Sequence, residues 1–116
     1  MFKDIKDKWV CALMSDDYKQ GKGFLRNGDE FCCLGVLTDI YLKEHDLEWE
    51  TSDTDQNYMA FDGSFETLSQ KVTDWSGLDD RNPYVITKDF KAFLLSERND
   101  KGASFKEIGQ IIKENL

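Results

Sequence analysis

The sequence predicts a mostly helical α+β fold, built as a single globular domain with a small β-hairpin or sheet. The chain has 116 residues, of which 40% are hydrophobic and 13% aromatic, which is enough to bury a core. Apolar residues recur at helical spacing near both ends, and an Asn-Gly dipeptide separates two short stretches that favour strands. No repeat, low-complexity tract or linker divides residues 1–116.

The first half of the chain predicts two helices with a hairpin between them. A helix over about 3–15 is indicated by apolar residues at helical spacing: Phe2, Ile5, Trp9, Ala12 and Leu13. The stretch GFLRNGDEFCC predicts two short strands around Asn27-Gly28. Residues 33–43 are apolar almost all round, which predicts a buried central helix, with a buried strand followed by a helix as the alternative.

The middle of the chain is predicted to be an acidic, loop-rich segment at about 44–66, with YMAF as a strand near its end. A helix is then predicted to begin with Ser64 as N-cap and to end at Gly77. Its buried side is indicated by residues three, seven and ten positions apart: Phe65, Leu68, Val72 and Trp75.

The last third predicts an extended YVIT after Asn82-Pro83 and two further helices. The first helix is expected from Lys88 to about Glu97, with Phe90, Phe93 and Leu94 facing inward. The final helix has the clearest signal, because Ser104 and Glu107 are spaced as a capping box. Its apolar stripe is Phe105, Ile108, Ile112 and Leu116.

The formal net charge of −8 is concentrated in the acidic segment. Residues 44–66 carry eight acidic residues and no Lys or Arg, whereas the rest of the chain carries 15 acidic and 15 basic residues. Phosphate-backbone contacts require clustered Lys and Arg, so direct nucleic-acid binding is disfavoured. No apolar run is long enough for a membrane span, and three cysteines, two of them adjacent, do not suit a disulfide framework. We expect a cytoplasmic protein with no membrane association.

The acidic segment predicts a surface for a basic partner. Trp49, Tyr58 and Phe61 lie among its acidic residues, and aromatic side chains are frequent anchors of protein interfaces. The candidate partner-binding residues are Glu48, Trp49, Glu50, Asp53, Asp55, Tyr58, Phe61 and Asp62. The alternative is a solvated loop that only keeps the protein soluble.

A second candidate site lies in the glycine-rich stretch before the predicted hairpin. Lys19, Lys22 and Arg26 surround Gly21 and Gly23, and basic side chains beside accessible backbone amides can bind an anion. The order of a nucleotide-hydrolysing phosphate loop is absent. The alternative is a connector whose lysines are merely solvated.

Metal and thiol chemistry have weaker signals. His45 is the only histidine, and the adjacent Cys32-Cys33 pair lacks the spacing of a zinc site, so we expect no metal and no cofactor. DTDQN begins like a calcium loop but lacks the required Gly and Glu. We expect inert core thiols, with at least one of Cys32 and Cys33 buried against Trp9 or Leu37. The alternative is a cysteine nucleophile activated by Lys22 or Arg26, and no catalytic residue is assigned.

Four segments resemble a group of small, uncharacterised proteins encoded by bacteriophages and prophages: KWVCALMSDDYKQGKGFLRNGDEFCCLGVLTDIY, VTDWSGL, NPYV and NDKGASFKEIGQII. The resemblance covers most of the chain outside the acidic middle. It implies a phage or prophage origin and action inside a bacterial host cell, and it assigns no functional residues.

Three functions follow as expectations. The first is a non-enzymatic phage or prophage accessory protein that binds a host protein and modulates host physiology or defence. The second is a small-ligand binder that sequesters a phosphorylated metabolite or a nucleotide signal through the basic, glycine-rich stretch. The third is an enzyme that uses a cysteine thiol.

Overall fold

The computed structural model describes residues 1–51 and 57–116, and it confirms an α+β domain in which helices predominate. Within the described residues, no helix is both long enough and apolar enough to cross a membrane. The helices are α1 (Lys3–Met14), α2 (Cys33–Glu44), α3 (Gln70–Ser76), α4 (Leu95–Asp100) and α5 (Phe105–Asn115). The strands are β1 (Lys19–Gln20), β2 (Arg26–Asn27), β3 (Glu30–Phe31), β4 (Glu50–Thr51), β5 (Tyr58–Ala60), β6 (Tyr84–Ile86) and β7 (Ala92–Leu94).

Helix α2 lies at the centre of the hydrophobic core, as its continuous apolar sequence predicts. Every residue from position 33 to position 39 is buried. Helix α1 packs on it, and the fully buried Trp9 donates a hydrogen bond from Nε1 to the carbonyl oxygen of Cys33 at 2.9 Å. Helix α5 packs against α1, where Gly109 allows the two helices to approach closely beside Leu13 and Met14. These contacts bring the two ends of the chain together.

A small five-stranded sheet in the order β1-β3-β2-β5-β4 covers another side of α2. The predicted hairpin is confirmed as β2 and β3, which pair Arg26 with Phe31 and Asn27 with Glu30. Its two-residue turn is Gly28-Asp29, one position beyond the predicted Asn27-Gly28 centre, and Gly28 has a φ of +61°. Glycine at the first central position is typical of a type II′ turn. The predicted YMAF strand is confirmed as β5.

The helix predicted to begin at Ser64 begins later. Ser69 is the N-cap of α3, and its Oγ accepts a hydrogen bond from the backbone N–H of Val72 at 3.2 Å. Ser64 instead pairs with Phe61 in an isolated bridge, and the Phe65 carbonyl accepts from the Leu25 N–H. The backbone groups of Ser64 and Phe65, which the helical spacing assigned to a helix, are therefore hydrogen-bonded to other segments instead. The predicted end at Gly77 is confirmed, with a φ of +74°.

The helix predicted from Lys88 to about Glu97 is wrong in its first half. The chain forms an antiparallel hairpin of β6 and β7 there, and α4 begins only at Leu95. The turn places Phe90 at a φ of +63° with its side chain 89% exposed, so Phe90 does not face the core as predicted. Pairing with the confirmed extended strand β6 overrides a helical spacing that is only local.

The final helix is confirmed. The Oγ of Ser104 accepts a hydrogen bond from the Glu107 backbone N–H at 3.1 Å, as an N-cap side chain does. Phe105, Ile108 and Ile112 are buried along one side of α5, and Leu116 packs at the edge of the core.

Candidate functional site

A carboxylate on the central helix joins three parts of the chain. Asp39 lies in α2, and its side chain is only 8% exposed. Its Oδ2 accepts hydrogen bonds from the Tyr18 hydroxyl at 2.6 Å and from the Lys43 Nζ at 3.0 Å, while its Oδ1 accepts one from the Trp49 Nε1 at 3.0 Å. Lys43 is one helical turn after Asp39, whereas Tyr18 and Trp49 come from the segments before β1 and β4. Asp39 therefore holds those segments against α2.

The protonation states at this centre follow from burial and hydrogen bonding. Burial alone would raise the pKa of Asp39, but hydrogen bonds from Tyr18, Trp49 and Lys43 outweigh it, and the pKa is lowered. Burial raises the pKa of Tyr18, and its hydrogen bond to Asp39 raises it further. At neutral pH Asp39 is therefore an ionised acceptor and Tyr18 a neutral donor.

Arg26 lies beside this centre with its guanidinium held over aromatic rings. Its Cζ is 4.9 Å from the ring centroid of Phe31 and 5.8 Å from that of Trp49, within the range of cation–π contacts. Its Nε donates to the Gly28 carbonyl oxygen at 2.8 Å. Within residues 1–51 and 57–116, no hydrogen bond or ion pair uses its two terminal nitrogens. The guanidinium is thus oriented by the protein but keeps its outer donors available.

An open pocket of about 440 Å³ connects Arg26 with the Asp39 centre. Its lining consists of Asp17, Tyr18, Arg26, Phe31, Asp39 and Lys43. Tyr18 and Phe31 meet edge to face, with ring centroids 5.1 Å apart. The pocket therefore combines two cationic side chains, two carboxylates and aromatic walls, and the outward donors of Arg26 and Lys43 are the groups in it that suit an anionic ligand with a flat apolar part.

The predicted anion site is only partly brought together. Of its five residues, Arg26 lines the pocket, whereas Lys19 lies 4.0 Å from Asp29 and Lys22 is exposed. The backbone N–H of Gly21 donates to the Phe31 carbonyl oxygen at 2.7 Å, and that of Gly23 to Asp100 Oδ1 at 2.9 Å. Because this chain's own acceptors occupy both amides, the glycine loop does not present them to a ligand. The backbone part of the predicted site is therefore occupied, whereas anion binding by its basic side chains stays a prediction.

A buried asparagine explains the glycine-rich stretch in structural terms. Asn99 is fully buried, and its Nδ2 donates to the Gly21 carbonyl oxygen at 2.9 Å. Its Oδ1 accepts from the Cys33 backbone N–H at 3.2 Å and from the Gln20 Nε2 at 2.9 Å. The loop is therefore a connector that α4 fixes to the start of α2.

The predicted aromatic anchors of the acidic segment are mostly engaged in the fold. Phe61 is only 6% exposed, so its predicted role as a surface anchor does not fit its place in the core. Trp49 is half-buried and bonded to Asp39, and Tyr58 packs on Phe24 with ring centroids 4.2 Å apart. These rings stabilise the sheet and leave little aromatic area for a partner.

The carboxylates of the acidic segment have mixed surroundings. Glu50 accepts hydrogen bonds from the backbone N–H groups of Asp62 and Gly63, at 3.1 and 3.2 Å, which fixes the turn after β5. Glu48 is exposed. Asp53 and Asp55, also predicted to bind a partner, lie outside the described residues.

The adjacent cysteines are buried, as predicted. Cys33 is fully buried and Cys32 is 3% exposed. Burial raises the pKa of Cys32 to about 11 and the pKa of Cys33 well above its ordinary value. Both thiols are therefore protonated at neutral pH, which makes them poor nucleophiles. Within the described residues, no group of three or more His, Cys, Asp or Glu side chains is placed to hold a metal ion.

A thiol-labelling experiment tests this assignment. We expect a thiol reagent at neutral pH to modify the native protein at the exposed Cys11 and to leave Cys32 and Cys33 unmodified until the chain is denatured. A Cys11→Ser variant should then show almost no native labelling, as measured by intact mass. Rapid native modification of this variant would contradict the burial of both thiols.

Most pocket residues were not predicted from the sequence. Tyr18, Phe31, Asp39 and Lys43 are distributed over 26 positions of sequence and meet only in the fold. One available signal was Asp39 itself, an acidic residue in an otherwise apolar helix, because a buried carboxylate needs partners.

Comparison with known proteins identifies the family. No curated protein and no solved structure matches the chain. The model of one family, described as Domain of unknown function (DUF8296), matches residues 1–116. Since this match extends over the entire sequence, the chain belongs to the DUF8296 family.

Proposed function

We propose that this protein is a non-enzymatic binding protein that holds a small anionic molecule in the Arg26 pocket. The ligand class is a phosphorylated metabolite or a nucleotide signal. One observation carries the proposal: the guanidinium of Arg26 is fixed over Phe31 and Trp49, yet its terminal nitrogens have no partner among the described residues. The planar guanidinium can present two nitrogens to the paired oxygens of a phosphate or carboxylate group.

The rest of the pocket supports the same ligand class. Lys43 binds Asp39 through one of its three N–H donors, and its side chain remains 71% exposed at the pocket. Three donors surround the Asp39 carboxylate, which offsets much of its repulsion toward an incoming anion. Tyr18 and Phe31 provide ring surfaces on which a base or another flat group can pack.

Thermal unfolding with a panel of nucleotides and sugar phosphates tests the proposal. A ligand at a hundred times its Kd should stabilise the protein by about 2.7 kcal/mol. We expect Arg26→Gln to abolish this stabilisation and Arg26→Lys to weaken it strongly, because lysine cannot make the paired, stacked contact.

Lys22→Gln is the matched control, since it removes one positive charge from an exposed position outside the pocket. This variant should bind as the unmodified protein does. The proposal fails if no anionic compound shifts the transition, or if Lys22→Gln reduces binding as much as Arg26→Gln.

A second candidate function is binding of a basic host protein through the acidic segment, as a phage or prophage accessory protein would do. The side chains of Asp46 and Glu48 are exposed and form no ion pair within the described part of the chain. Unpaired surface carboxylates favour association with a positively charged surface. The resemblance to phage and prophage proteins supports a partner in the bacterial host, including one that acts in host defence.

Neutralisation of four acidic residues tests this candidate. Asp46→Asn, Glu48→Gln, Asp53→Asn and Asp55→Asn together should abolish capture of a basic partner from bacterial lysate at low salt. The control variant neutralises four acidic residues elsewhere: Asp4, Asp16, Glu97 and Glu114. The control variant should retain capture. Equal capture by both variants would contradict a binding role and indicate that the acidic segment only keeps the protein soluble.

A further inference from the structure

Strand β6 has a backbone edge that no part of the described chain covers. Within the hairpin, the Thr87 N–H donates to the Lys91 carbonyl oxygen and the Leu95 N–H donates to the Pro83 carbonyl oxygen, each at about 3 Å. Alternation along an antiparallel pair then directs the N–H and C=O groups of Tyr84 and Ile86 away from β7. None of the described residues bonds to these groups from the other side.

The outer edge of β6 is short but contains none of the charged residues that usually oppose strand addition. Its residues are Tyr84, Val85 and Ile86, which favour strands and carry no charge. The Tyr84 and Ile86 side chains are 55% and 57% exposed. Pro83 does not interrupt the edge, because its bonded carbonyl places its missing N–H on the side of β7. An apolar edge of this kind favours pairing with another strand.

The hairpin turn also has an unfavourable local conformation. Phe90 has a φ of +63°, where glycine is the usual residue, and the residue is 89% exposed. A non-glycine residue in this region costs on the order of 1 kcal/mol, and an exposed aromatic ring adds no burial in return. Residues that break local rules in this way are frequently retained for an interaction.

The two ends of β6 have opposite charges. Lys88 follows the strand at the turn and is exposed, with no ion pair among the described residues. Asp79 and Asp80 precede the strand. They line a groove of about 270 Å³ together with Leu78, Pro83 and Leu116. A strand that is positive at one end and negative at the other is complementary to itself when reversed.

We propose that β6 pairs antiparallel with β6 of a second copy of this chain, about a twofold axis at Val85. Tyr84 then lies opposite Ile86 of the other copy, and the outward N–H and C=O groups of both residues are paired. The two hairpins form a continuous four-stranded sheet. An aromatic residue opposite a β-branched one is a favourable cross-strand pair.

The same arrangement explains the turn and the charges. It brings the turn of each hairpin alongside the partner's groove, so that Phe90 approaches its apolar lining and Lys88 approaches Asp79 and Asp80. Both contacts occur twice by symmetry, as a twofold interface requires. Because the edge, the turn and the charges of one copy complement those of another copy, the observations favour a second copy as the occupant.

Sedimentation velocity and amide hydrogen exchange test this dimer with the full chain. We expect a monomer–dimer equilibrium and concentration-dependent protection of the Tyr84 and Ile86 amides, with no such change at the Ala92 amide on the opposite edge. A protein that is monomeric at all concentrations, or a dimer with unprotected Tyr84 and Ile86 amides, overturns the proposal.

Two proline variants distinguish the edges of the hairpin. Ile86→Pro removes an N–H from the proposed interface, whereas Ala92→Pro removes one from the outer edge of β7, and neither N–H bonds within the hairpin. We expect Ile86→Pro to be monomeric and Ala92→Pro to dimerise as the unmodified chain does. Dimerisation of Ile86→Pro overturns the proposal.

If both proline variants are monomeric, an exchange of charges tests the proposed dimer instead. Lys88→Glu and Asp79→Lys should each weaken the dimer, and an equimolar mixture should restore it, because each copy then meets the opposite charge. Failure of the mixture to associate more strongly than either variant alone overturns the proposal.

Discussion

Gly35→Ala is expected to destabilise the protein by more than about 4 kcal/mol, the range of severe steric substitutions. A Cβ at position 35 would lie 1.7 Å from the Leu25 carbonyl oxygen and 2.6 Å from its carbonyl carbon. Both atoms belong to the backbone. The same oxygen accepts the Cys32 N–H, and the Leu25 N–H is bonded to Phe65, so the segment cannot move away without losing these bonds. Urea or thermal unfolding measures the effect.

Gly23→Ala is the matched control for this experiment. Gly23 has a φ of +81° and no atom within 4 Å of an added Cβ, so alanine would cost on the order of 1 kcal/mol through backbone strain alone. Since a domain of this size has a total stability of about 5–15 kcal/mol, the two variants should differ clearly. Equal stability would contradict the close packing of α2 on Leu25.

Asp39→Ala is expected to cost about 3 kcal/mol of stability and to lower affinity for the anionic ligand that we propose for the Arg26 pocket. The substitution leaves the Trp49 Nε1 and the Tyr18 hydroxyl without their acceptor and Lys43 without its counter-ion. Trp49 also contacts the Arg26 guanidinium, so its displacement should loosen the binding site. Asp74→Ala is the control, because Asp74 is an exposed carboxylate with one short-range hydrogen bond.

The stabilising effect of Asp39 should depend on pH in a defined direction. Its pKa in the folded state is lowered below the unfolded value of about 3.9. The ionised carboxylate therefore stabilises the fold above that value, and this contribution is lost as pH falls through the folded-state pKa. The stability difference between the unmodified protein and Asp39→Asn should be constant near neutrality and shrink below about pH 4. A difference that grows on acidification would contradict the assignment.

Local sequence was sufficient to predict an element when that element buries one periodic apolar face or contains its own turn or cap. Helix α5 forms where Ser104 and the stripe of Phe105, Ile108 and Ile112 predict it. The β2–β3 hairpin forms around Gly28 because a glycine turn suits adjacent strands. Local sequence failed at Ser64 and from Lys88 to Leu94, where strand and loop pairing determines the backbone conformation.

The candidate site likewise has one residue that the sequence identifies and several contacts that depend on the tertiary structure. Arg26 is identifiable from the sequence as a cation near glycines, but its role in the structure comes from Phe31 across the hairpin and Trp49 in a separate loop. Asp39 acquires three donors only because α2 packs against segments before β1 and β4. A buried carboxylate indicates that partners are needed, but residue spacing within one element does not identify which distant side chains supply them.

The amino-acid sequence by itself determined the α+β class, the central buried helix, the capped final helix and the concentration of charge in residues 44–66. These properties follow from composition and from periods of a few residues, which act within one element. Only the tertiary structure decided that the glycine loop binds Asn99 and Asp100 and that Arg26, Tyr18 and Asp39 share a pocket. It also decided that none of the described residues pairs with the outer edge of β6. Those features depend on which buried hydrogen bonds and side-chain contacts form between distant segments, because burying the core requires its polar groups to find partners across the chain.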